Sequence, residues 1–256
     1  DAAGNVYLAG SAESRGLDGN TALGYVDCFL TKYERDGVKQ YTRELGASGA
    51  TTGCNAVAAD AAGNVYLTGH TSGGLDGGAP TGSNDLFVVK YDSTGVKQYA
   101  RQIGAAGVET AGNGIAVDAS GNVYAVGYTQ GGLDGNTLAG VFDVVLVKYD
   151  SGGTRQYTRQ LGIAGSAANA NAVATDTLGN VYVVGESYGN LGGAPLNGLR
   201  DLFLLKFDAT GAQAYARQIG ATGADTRGFS VATDAANAVY AVGYATAGVD
   251  GNTLTG

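Results

Sequence analysis

Methionine and tryptophan are absent from this 256-residue chain, and histidine, cysteine and proline number one, two and two. One histidine and two cysteines are too few for a zinc centre built on three histidines or on a cysteine cluster. No apolar run approaches the ~20 residues of a membrane-spanning helix, and no signal peptide is visible. Because the chain opens on Asp1 without a methionine and in the middle of a repeated unit, we expect a processed or truncated N-terminus.

Positive charge is also scarce, with 15 lysine and arginine residues against 23 aspartate and glutamate residues and a formal net charge of −8. An acidic surface opposes binding to a phosphate backbone, which relies on clustered lysine and arginine. We therefore expect neither a nucleic-acid partner nor insertion into a membrane. The 45 glycines show no three-residue period and 44% of the residues are hydrophobic, which argues against collagen and against disorder.

What the chain has in abundance is internal repetition. The segment Gly-Asn-Val-Tyr or a close variant recurs at intervals of 59, 58, 58 and 58 residues, with its tyrosine at Tyr7, Tyr66, Tyr124, Tyr182 and Tyr240. Self-similarity of this length is typical of stacked or radially arranged units. We predict a single domain over 1–256, with units beginning near residues 1, 55, 113, 171 and 229. Residues that recur in every unit are then candidates for architecture, and residues found in one unit are candidates for a site.

Each unit predicts four short strands, which the second unit shows best at 55–60, 64–69, 85–91 and 96–103. These segments are rich in valine, tyrosine, phenylalanine and isoleucine, and Asp-x-x-Gly turns separate the first pair and the last pair. Helical periodicity is nearly absent. The pattern predicts an all-β β-propeller of four-stranded antiparallel blades, about four and a half of them in this chain. A linear β-solenoid is the alternative.

The repeated motifs also resemble a known family. The string Asp-x-x-Gly-Asn-Val-Tyr-x-x-Gly, then Phe-x-x-Lys-Tyr-Asp and Tyr-x-Arg-Gln-(Leu/Ile)-Gly, is similar to the bacterial SBBP repeat, the beta-propeller repeat. The resemblance covers essentially the whole chain and implies a propeller fold and a secreted or cell-surface location, but no activity. One departure is that tyrosine stands where we expect tryptophan in the fourth strand, at Tyr41, Tyr99, Tyr157 and Tyr215.

The number of blades is predicted from an alternation between units. Odd units carry Asp-Gly-Asn-Thr after the second strand, and even units carry Gly-Ala-Pro there. Alternation suggests duplication of a two-blade unit, so we expect a ring of six or eight blades of which this chain is a fragment.

Candidate binding residues come from the long loops between the second and third strands and from the connections between units. In a four-stranded blade these segments share one face, the loop face, and the tight turns lie on the opposite turn face. Loops on a rigid scaffold are where binding usually occurs. The candidates are Asp18, Asn20, His70, Asp76, Asp134, Asn136, Asp250 and Asn252.

The Asp-Gly-Asn-Thr loops allow two interpretations. Asp18, Asp134 and Asp250 begin a spacing seen in calcium loops, but calcium needs about six oxygen ligands and the next acidic position is filled by Ala22 or Leu138. A glycine-permitted turn capped by the aspartate is the favoured interpretation, and we predict no cofactor.

Recurring charges and the two cysteines carry structural interpretations. A lysine, an arginine and an aspartate recur in each unit, and we expect them to form ion pairs between strands or blades, with the stems packed on aromatic rings. Cys28 and Cys54 allow either a disulfide or two separate buried thiols.

The functional prediction is a non-enzymatic extracellular or cell-surface module that binds a protein or glycan, or assembles with copies of itself, through the loop face. No catalytic residues are predicted. His70 has Ser72 and Asp76 nearby in sequence, but they form no known signature. The alternative is a hydrolase or lyase acting on a polysaccharide at the mouth of the central channel.

Overall fold

The computed structural model describes residues 1–13, 16–249 and 251–254 and shows an all-β chain. These residues form 17 strands and one three-residue 3-10 turn, Leu17–Gly19. None of the described segments is a helix long and apolar enough to cross a membrane.

The strands form five antiparallel sheets, each a meander of consecutive strands. The first sheet has three strands: β1 (Val6–Glu13), β2 (Val26–Tyr33) and β3 (Lys39–Leu45). The second has β4 (Thr52–Ala59), β5 (Val65–Thr71), β6 (Asp85–Tyr91) and β7 (Lys97–Ile103). The third has β8 (Thr110–Val117), β9 (Val123–Thr129), β10 (Asp143–Tyr149) and β11 (Arg155–Leu161). The fourth has β12 (Ala168–Thr175), β13 (Val181–Ser187), β14 (Asp201–Phe207) and β15 (Gln213–Ile219), and the fifth has β16 (Thr226–Thr233) and β17 (Val239–Ala245). We number these sheets blades 1 to 5.

The predicted strands are confirmed, with one systematic difference. Strand β6 coincides with the prediction for 85–91, but in the second to fifth units the first strand begins three residues before the predicted unit start. The cause is a β-bulge. The pairing of β4 with β5 shifts between Cys54 and Ala56, so Asn55 is the extra residue and the ladder continues on both sides of it.

The Asp-x-x-Gly-Asn-Val-Tyr motif is a self-contained clamp on the turn between the first two strands. In blade 2, Asp60 Oδ1 accepts hydrogen bonds from the backbone of Ala62 and Asn64, and Oδ2 accepts them from Asn64 Nδ2 at 2.7 Å and Tyr66 Oη at 3.0 Å. Gly63 supplies the positive φ (+79°) that the turn requires. Burial alone would raise the pKa of Asp60, but these hydrogen bonds outweigh it and hold the pKa below its ordinary value.

The sheets are arranged as propeller blades, with each first strand innermost. First strands of neighbouring blades contact one another. The bulge asparagine bonds to the next blade: Asn55 Nδ2 donates to Gly112 O at 2.8 Å, and Asn113 Nδ2 donates to Ala170 O at 3.0 Å. Between blades the described ladders are limited to isolated parallel bridges, so the sheets are separate and the solenoid interpretation is wrong.

Burial of each blade depends on its neighbours. Val65 and Leu67 are fully buried against Cys28 and Leu30 of blade 1, while Tyr66 points the other way into the interface with blade 3. In blade 1, Val6 occupies the position of Val65 and is 51% exposed, because no sheet covers that side in the structure. The apolar core is therefore a series of interfaces between blades.

The recurring lysine and arginine join neighbouring blades, but not through the ion pairs that we expected. Lys90 Nζ donates to Ser151 O at 3.2 Å and lies 5.4 Å from the centroid of the Tyr66 ring. Arg101 Nε donates to Gly153 O at 2.7 Å. The recurring aspartate caps the long loop of its own blade instead, since Asp85 accepts from the backbone of residues 81 and 82. The partners of these two cations are thus backbone carbonyl oxygens in a turn of the next blade.

A disulfide links Cys28 of β2 to Cys54 of β4, with 5.0 Å between the two Cα atoms. The geometry between adjacent blades is therefore short enough for the bond, and the interpretation as two separate thiols is wrong. The bond covalently ties blade 1 to blade 2.

Candidate functional site

The Asp-Gly-Asn-Thr loops form tight turns. Asp134 and Gly135 have φ values of 50° and 81°, and Asn136 N donates to Leu133 O at 2.9 Å, which together describe a type I′ turn. Asn136 Nδ2 closes the same turn on Leu133 O at 2.7 Å. Asn20 and Asn252 hold their own turns in the same way.

Asp18 and Asp134 do not cap their turns, contrary to our expectation, but reach the outermost strand of their own blades. Asp134 Oδ1 lies 2.6 Å from Arg155 Nη2, and Asp18 Oδ2 lies 2.7 Å from Lys39 Nζ. Asp76 pairs with Lys97 and accepts from Ala100 N at 2.7 Å. The hydrogen bonds from Lys39 and from the Thr42 hydroxyl lower the pKa of Asp18.

These carboxylates therefore already have cationic partners. Within the described ranges, no group of three or more His, Cys, Asp or Glu is placed to hold a metal ion. The third calcium candidate, Asp250, lies outside the described residues.

The long loops fold back onto the blade instead of projecting from the loop face. Leu75, Leu133 and Leu191 are buried in three successive interfaces between blades. The contact of Asp76 with Ala100 N covers part of the edge of the outermost strand, which protects that strand from pairing with another chain. The described loop candidates Asp18, Asn20, Asp76, Asp134, Asn136 and Asn252 consequently stay apart, one set per blade, and do not converge on one site.

His70 occupies a different place, near the end of β5 and beside the first strand. It pairs in register with Gly53 and Leu86. Ser72 Oγ accepts a hydrogen bond from Thr51 N at 3.0 Å, and Asp76 is engaged by Lys97. No nucleophile and orienting acid are thus gathered around His70 among the described residues, but the position itself is informative because blades 2 to 5 carry His70, Tyr128, Glu186 and Tyr244 there.

Five positions of the repeat that differ between units form one continuous band, which we call the inner rim. The residue before the third strand of one blade bridges to the residue before the first strand of the next, as Asn84 does to Glu109. Gln130 N, after the second strand of blade 3, donates to Glu109 O at 2.9 Å. Because first strands are innermost, this band lies at the inner end of the loop face.

The inner rim consists of five positions per blade. They are Val26, Asn84, Phe142 and Arg200 before the third strand; Thr51, Glu109, Ala167 and Asp225 before the first; Gly53, Ala111, Asn169 and Arg227 within the first; His70, Tyr128, Glu186 and Tyr244 near the end of the second; and Ser72, Gln130, Tyr188 and Thr246 after it.

Arg200 is the centre of a charged network on the rim between blades 4 and 5. Only 7% of this residue is exposed. Its Nε donates to Asp225 Oδ1 at 2.6 Å, and its Nη1 donates to Tyr188 Oη at 2.7 Å and lies 3.2 Å from Glu186 Oε2. The hydrogen bond to Asp225 raises the pKa of Arg200, and the same bond lowers the pKa of Asp225.

A second guanidinium completes the network. Arg227 lies 3.5 Å from carboxylate oxygens of both Glu186 and Asp225. Tyr244 Oη donates to Asp225 Oδ2 at 2.9 Å. Two arginines and two carboxylates therefore meet with balanced charge at one place on the ring.

The rim is asymmetric around the ring. In blade 3, Tyr128 donates to Glu109 Oε1 at 2.9 Å and meets Phe142 edge to face, with 5.3 Å between the ring centroids. Burial, followed by the bond to Glu109, raises the pKa of Tyr128 to about 12. Blade 2 carries smaller residues at these positions, including Thr51 and Gly53. Aromatic and charged groups are thus concentrated on blades 3 to 5.

Among the rim residues, sequence reasoning named only His70 as a binding candidate, although it placed the long loops and the connections between units on one candidate face. A further signal was available, because aligning the units by their tyrosines shows columns that vary between units. The sequence alone does not show that these columns lie on one band.

Comparisons with known proteins agree with the fold. A search of curated proteins found no match. Solved structures that resemble the chain include a protein of unknown function from Bacteroides caccae (TM-score 0.47, 13% identity, 82% of this chain and 60% of that chain). A second is the PL25 polysaccharide lyase, an ulvan lyase (TM-score 0.48, 15% identity, covering 93% of this chain and 62% of that chain). A third is the Dos1 propeller (TM-score 0.42, 10% identity, covering 84% of this chain and 48% of that chain). The chain thus spans less than two thirds of each of these structures, and likeness at this level says nothing about its activity.

The family comparison is more specific. The family model of the SBBP beta-propeller repeat matches three successive segments, 40–76, 98–134 and 156–192, each at the same phase of the 58-residue unit. Each segment contains most of a fourth strand, the following first and second strands, and the beginning of the long loop. This chain therefore contains three tandem SBBP beta-propeller repeats.

Proposed function

We propose that the chain is a non-enzymatic extracellular binding module whose recognition surface is the inner rim. The observation that carries this proposal is the location of the positions at which the repeats differ. Units that share their turns, clamps and interface residues diverge at the rim, which is one contiguous band. A purely structural ring would need no such divergence there, whereas a ligand that meets several blades at once requires different side chains from each.

The long loops support the proposal by elimination. Their aspartates and asparagines are engaged in their own blades, and their leucines fill the interfaces between blades. The rim, in contrast, carries partly exposed polar and aromatic groups, including Tyr188 at 44% and Tyr244 at 36% exposure. Tyrosine supplies a large contact area with few rotatable bonds, which suits a binding surface.

An extracellular or surface location is part of the proposal. It is supported by the disulfide between Cys28 and Cys54, because such bonds persist mainly in oxidising compartments. It also agrees with the location that the repeat family implies.

Binding fits the rim better than catalysis does. Glu186 and Asp225 converge as a pair of carboxylates, which is the arrangement that a glycoside hydrolase needs. A general acid in such a pair requires a raised pKa, whereas the hydrogen bond from Arg200 lowers the pKa of Asp225. Both carboxylates face guanidinium groups, so neither is free to give a proton to a leaving group.

The test replaces rim residues of the charged network with the residues that other blades carry at the same positions. The rim variant carries the counterparts from blades 1 and 2: Glu186→His, Tyr188→Ser, Arg200→Val, Asp225→Thr and Arg227→Gly. The control variant is Leu178→Ala on the turn face, where Leu178 is 72% exposed. All three proteins are screened for binding to neutral polysaccharides, anionic polysaccharides and arrayed extracellular proteins, with the chain itself included on the array.

We expect the original protein and the control to bind in at least one panel, and the rim variant to bind there at least about tenfold more weakly. Binding that the rim variant retains, or no binding in any panel, would contradict the proposal.

A further inference from the structure

We infer that the ligand of the rim is a neutral carbohydrate and that it binds over blades 4 and 5, at Asn169, Tyr188 and Arg227. This inference rests on the proposed function and narrows it to one chemical class. Three independent features of the rim support it: its charge balance, a pair of unpartnered polar atoms, and a fixed aromatic ring.

The charge balance disfavours a charged ligand. The positive charges of Arg200 and Arg227 are matched by Glu186 and Asp225, all within one network. An anionic sugar would need a cation that is free to pair with it, and both guanidiniums here face carboxylates. The net charge of −8 adds long-range repulsion against polyanions such as polyuronates.

The unpartnered atoms fit a hydroxyl group. Asn169 Oδ1 is buried and accepts no hydrogen bond, and Arg227 Nε is buried and donates none, its nearest carboxylate oxygen being 3.5 Å away on Glu186. Asn169 is the register partner of Glu186, so the free acceptor and the free donor flank the same side chain. Sugar hydroxyl groups both donate and accept, so a carbohydrate offers partners for both kinds of atom.

The aromatic ring fits the apolar face of a sugar. Tyr188 is 44% exposed, and its hydroxyl accepts from Arg200 Nη1 at 2.7 Å. Since Arg200 is itself held by Asp225, the ring is fixed by a bond to a buried group. A partly exposed ring beside hydrogen-bonding groups combines the apolar contact and the polar contacts that carbohydrate binding requires.

The equivalent positions in other blades show which residues the fold accepts. Ala111 occupies the position of Asn169 in blade 3, and Ser72 occupies that of Tyr188 in blade 2. The variants Asn169→Ala and Tyr188→Ser therefore remove the proposed contacts without introducing a residue foreign to the position. The control is Leu178→Ala, which lies on the turn face and outside the rim.

The experiment is affinity electrophoresis in gels that contain one polysaccharide each. The neutral probes are galactomannan, mixed-linkage β-glucan and xyloglucan, and the anionic probes are alginate and polygalacturonate. We expect at least one neutral probe to retard the original protein and Leu178→Ala equally. Asn169→Ala and Tyr188→Ser should each weaken this retardation about tenfold, and anionic probes should have no effect.

Retardation by anionic probes alone, or retardation by a neutral probe that both variants retain, would overturn the inference. If no polysaccharide retards the protein but an arrayed protein binds in a rim-dependent way, the carbohydrate inference fails and the binding function stands. If nothing binds in either experiment, both fail.

Discussion

Arg155 Nη2 lies 2.6 Å from Asp134 Oδ1, across the gap between the long loop of blade 3 and its outermost strand. The same pair recurs in blade 1 as Lys39 with Asp18 and in blade 2 as Lys97 with Asp76. In blade 4 both partners are missing together, since Gly192 and Gln213 take their places. There Gln213 Nε2 donates to Gly192 O at 3.2 Å. The aspartate and its cation are thus present together or replaced together, which indicates a structural role for the pair.

Replacing Asp134 by glycine together with Thr158 by alanine, the residues that blade 4 carries as Gly192 and Ala216, should change stability little. Asp134 accepts a hydrogen bond from the buried Thr158 hydroxyl, so the double variant avoids leaving that hydroxyl without a partner. The lost ion pair is partly exposed and contributes about 0–1 kcal/mol, and glycine adopts the positive φ of 50° without the strain of a side chain. We expect the double variant to alter the free energy of unfolding in urea by less than about 1 kcal/mol. Gly135→Ala, at a φ of 81°, should cost about 1 kcal/mol or more. A larger loss for the double variant than for Gly135→Ala would contradict this account of the turn.

Two buried tyrosines should respond oppositely to loss of the hydroxyl. Tyr66 Oη donates to Asp60 at 3.0 Å, and a hydrogen bond to a charged group contributes about 1.5–3 kcal/mol, so Tyr66→Phe should destabilise by that amount. Tyr149 Oη is buried without a partner, and Phe207 fills its position in blade 4. Tyr149→Phe should therefore be neutral or stabilising. Urea unfolding of the two variants side by side checks this, and equal losses would show that the clamp on Asp60 contributes nothing.

The disulfide should stabilise the link between blades 1 and 2. It joins residues 26 positions apart, and bonds of this loop length typically contribute about 2–4 kcal/mol. The intact mass should be two hydrogens below that of the reduced chain, and reduction should lower the free energy of unfolding by that amount. Cys28→Ala with Cys54→Ala is the control, since it should be insensitive to reductant. A mass equal to the reduced form under non-reducing conditions would contradict the structure.

Stability should be flat between about pH 4 and pH 10 and fall outside that window. Hydrogen bonds outweigh burial and lower the folded-state pKa of Asp60 and Asp176, so their contribution is present above the unfolded pKa and lost as pH falls below about 4. Burial raises the folded-state pKa of Tyr99 and Tyr157 to about 12, so their contribution is present below about pH 10 and lost as pH rises towards 12. Urea midpoints measured from pH 2 to pH 12 check both limbs. Tyrosine absorbance that titrates fully near pH 10 in the folded protein would contradict the predicted alkaline limb.

The strand order and the turns could be predicted from the sequence because they depend on local patterns. The apolar run of β6 and the Asp60-to-Gly63 turn are both determined within a few residues, and both were predicted. The start of β4 was misplaced by three residues, because the strand continues before the bulge at Asn55.

The candidate site was harder, because it depends on contacts between distant residues. Asp76 looked free in the sequence, and only its contacts with Lys97 and Ala100 show that it is used within the blade. Arg200 was not singled out from the sequence, yet it lies at the meeting point of residues from two blades. Local pattern cannot reveal either relationship, although comparison of aligned units would have drawn attention to Arg200.

Hydrogen–deuterium exchange with a bound ligand tests the inner rim most directly. The chain is exchanged alone and then with whichever polysaccharide or protein binds it, and protection is compared along the sequence. We predict protection in 167–169, 186–188 and 225–227, with none in the long-loop turns 17–20 and 133–136. Protection confined to those turns, with the rim unchanged, would contradict the account.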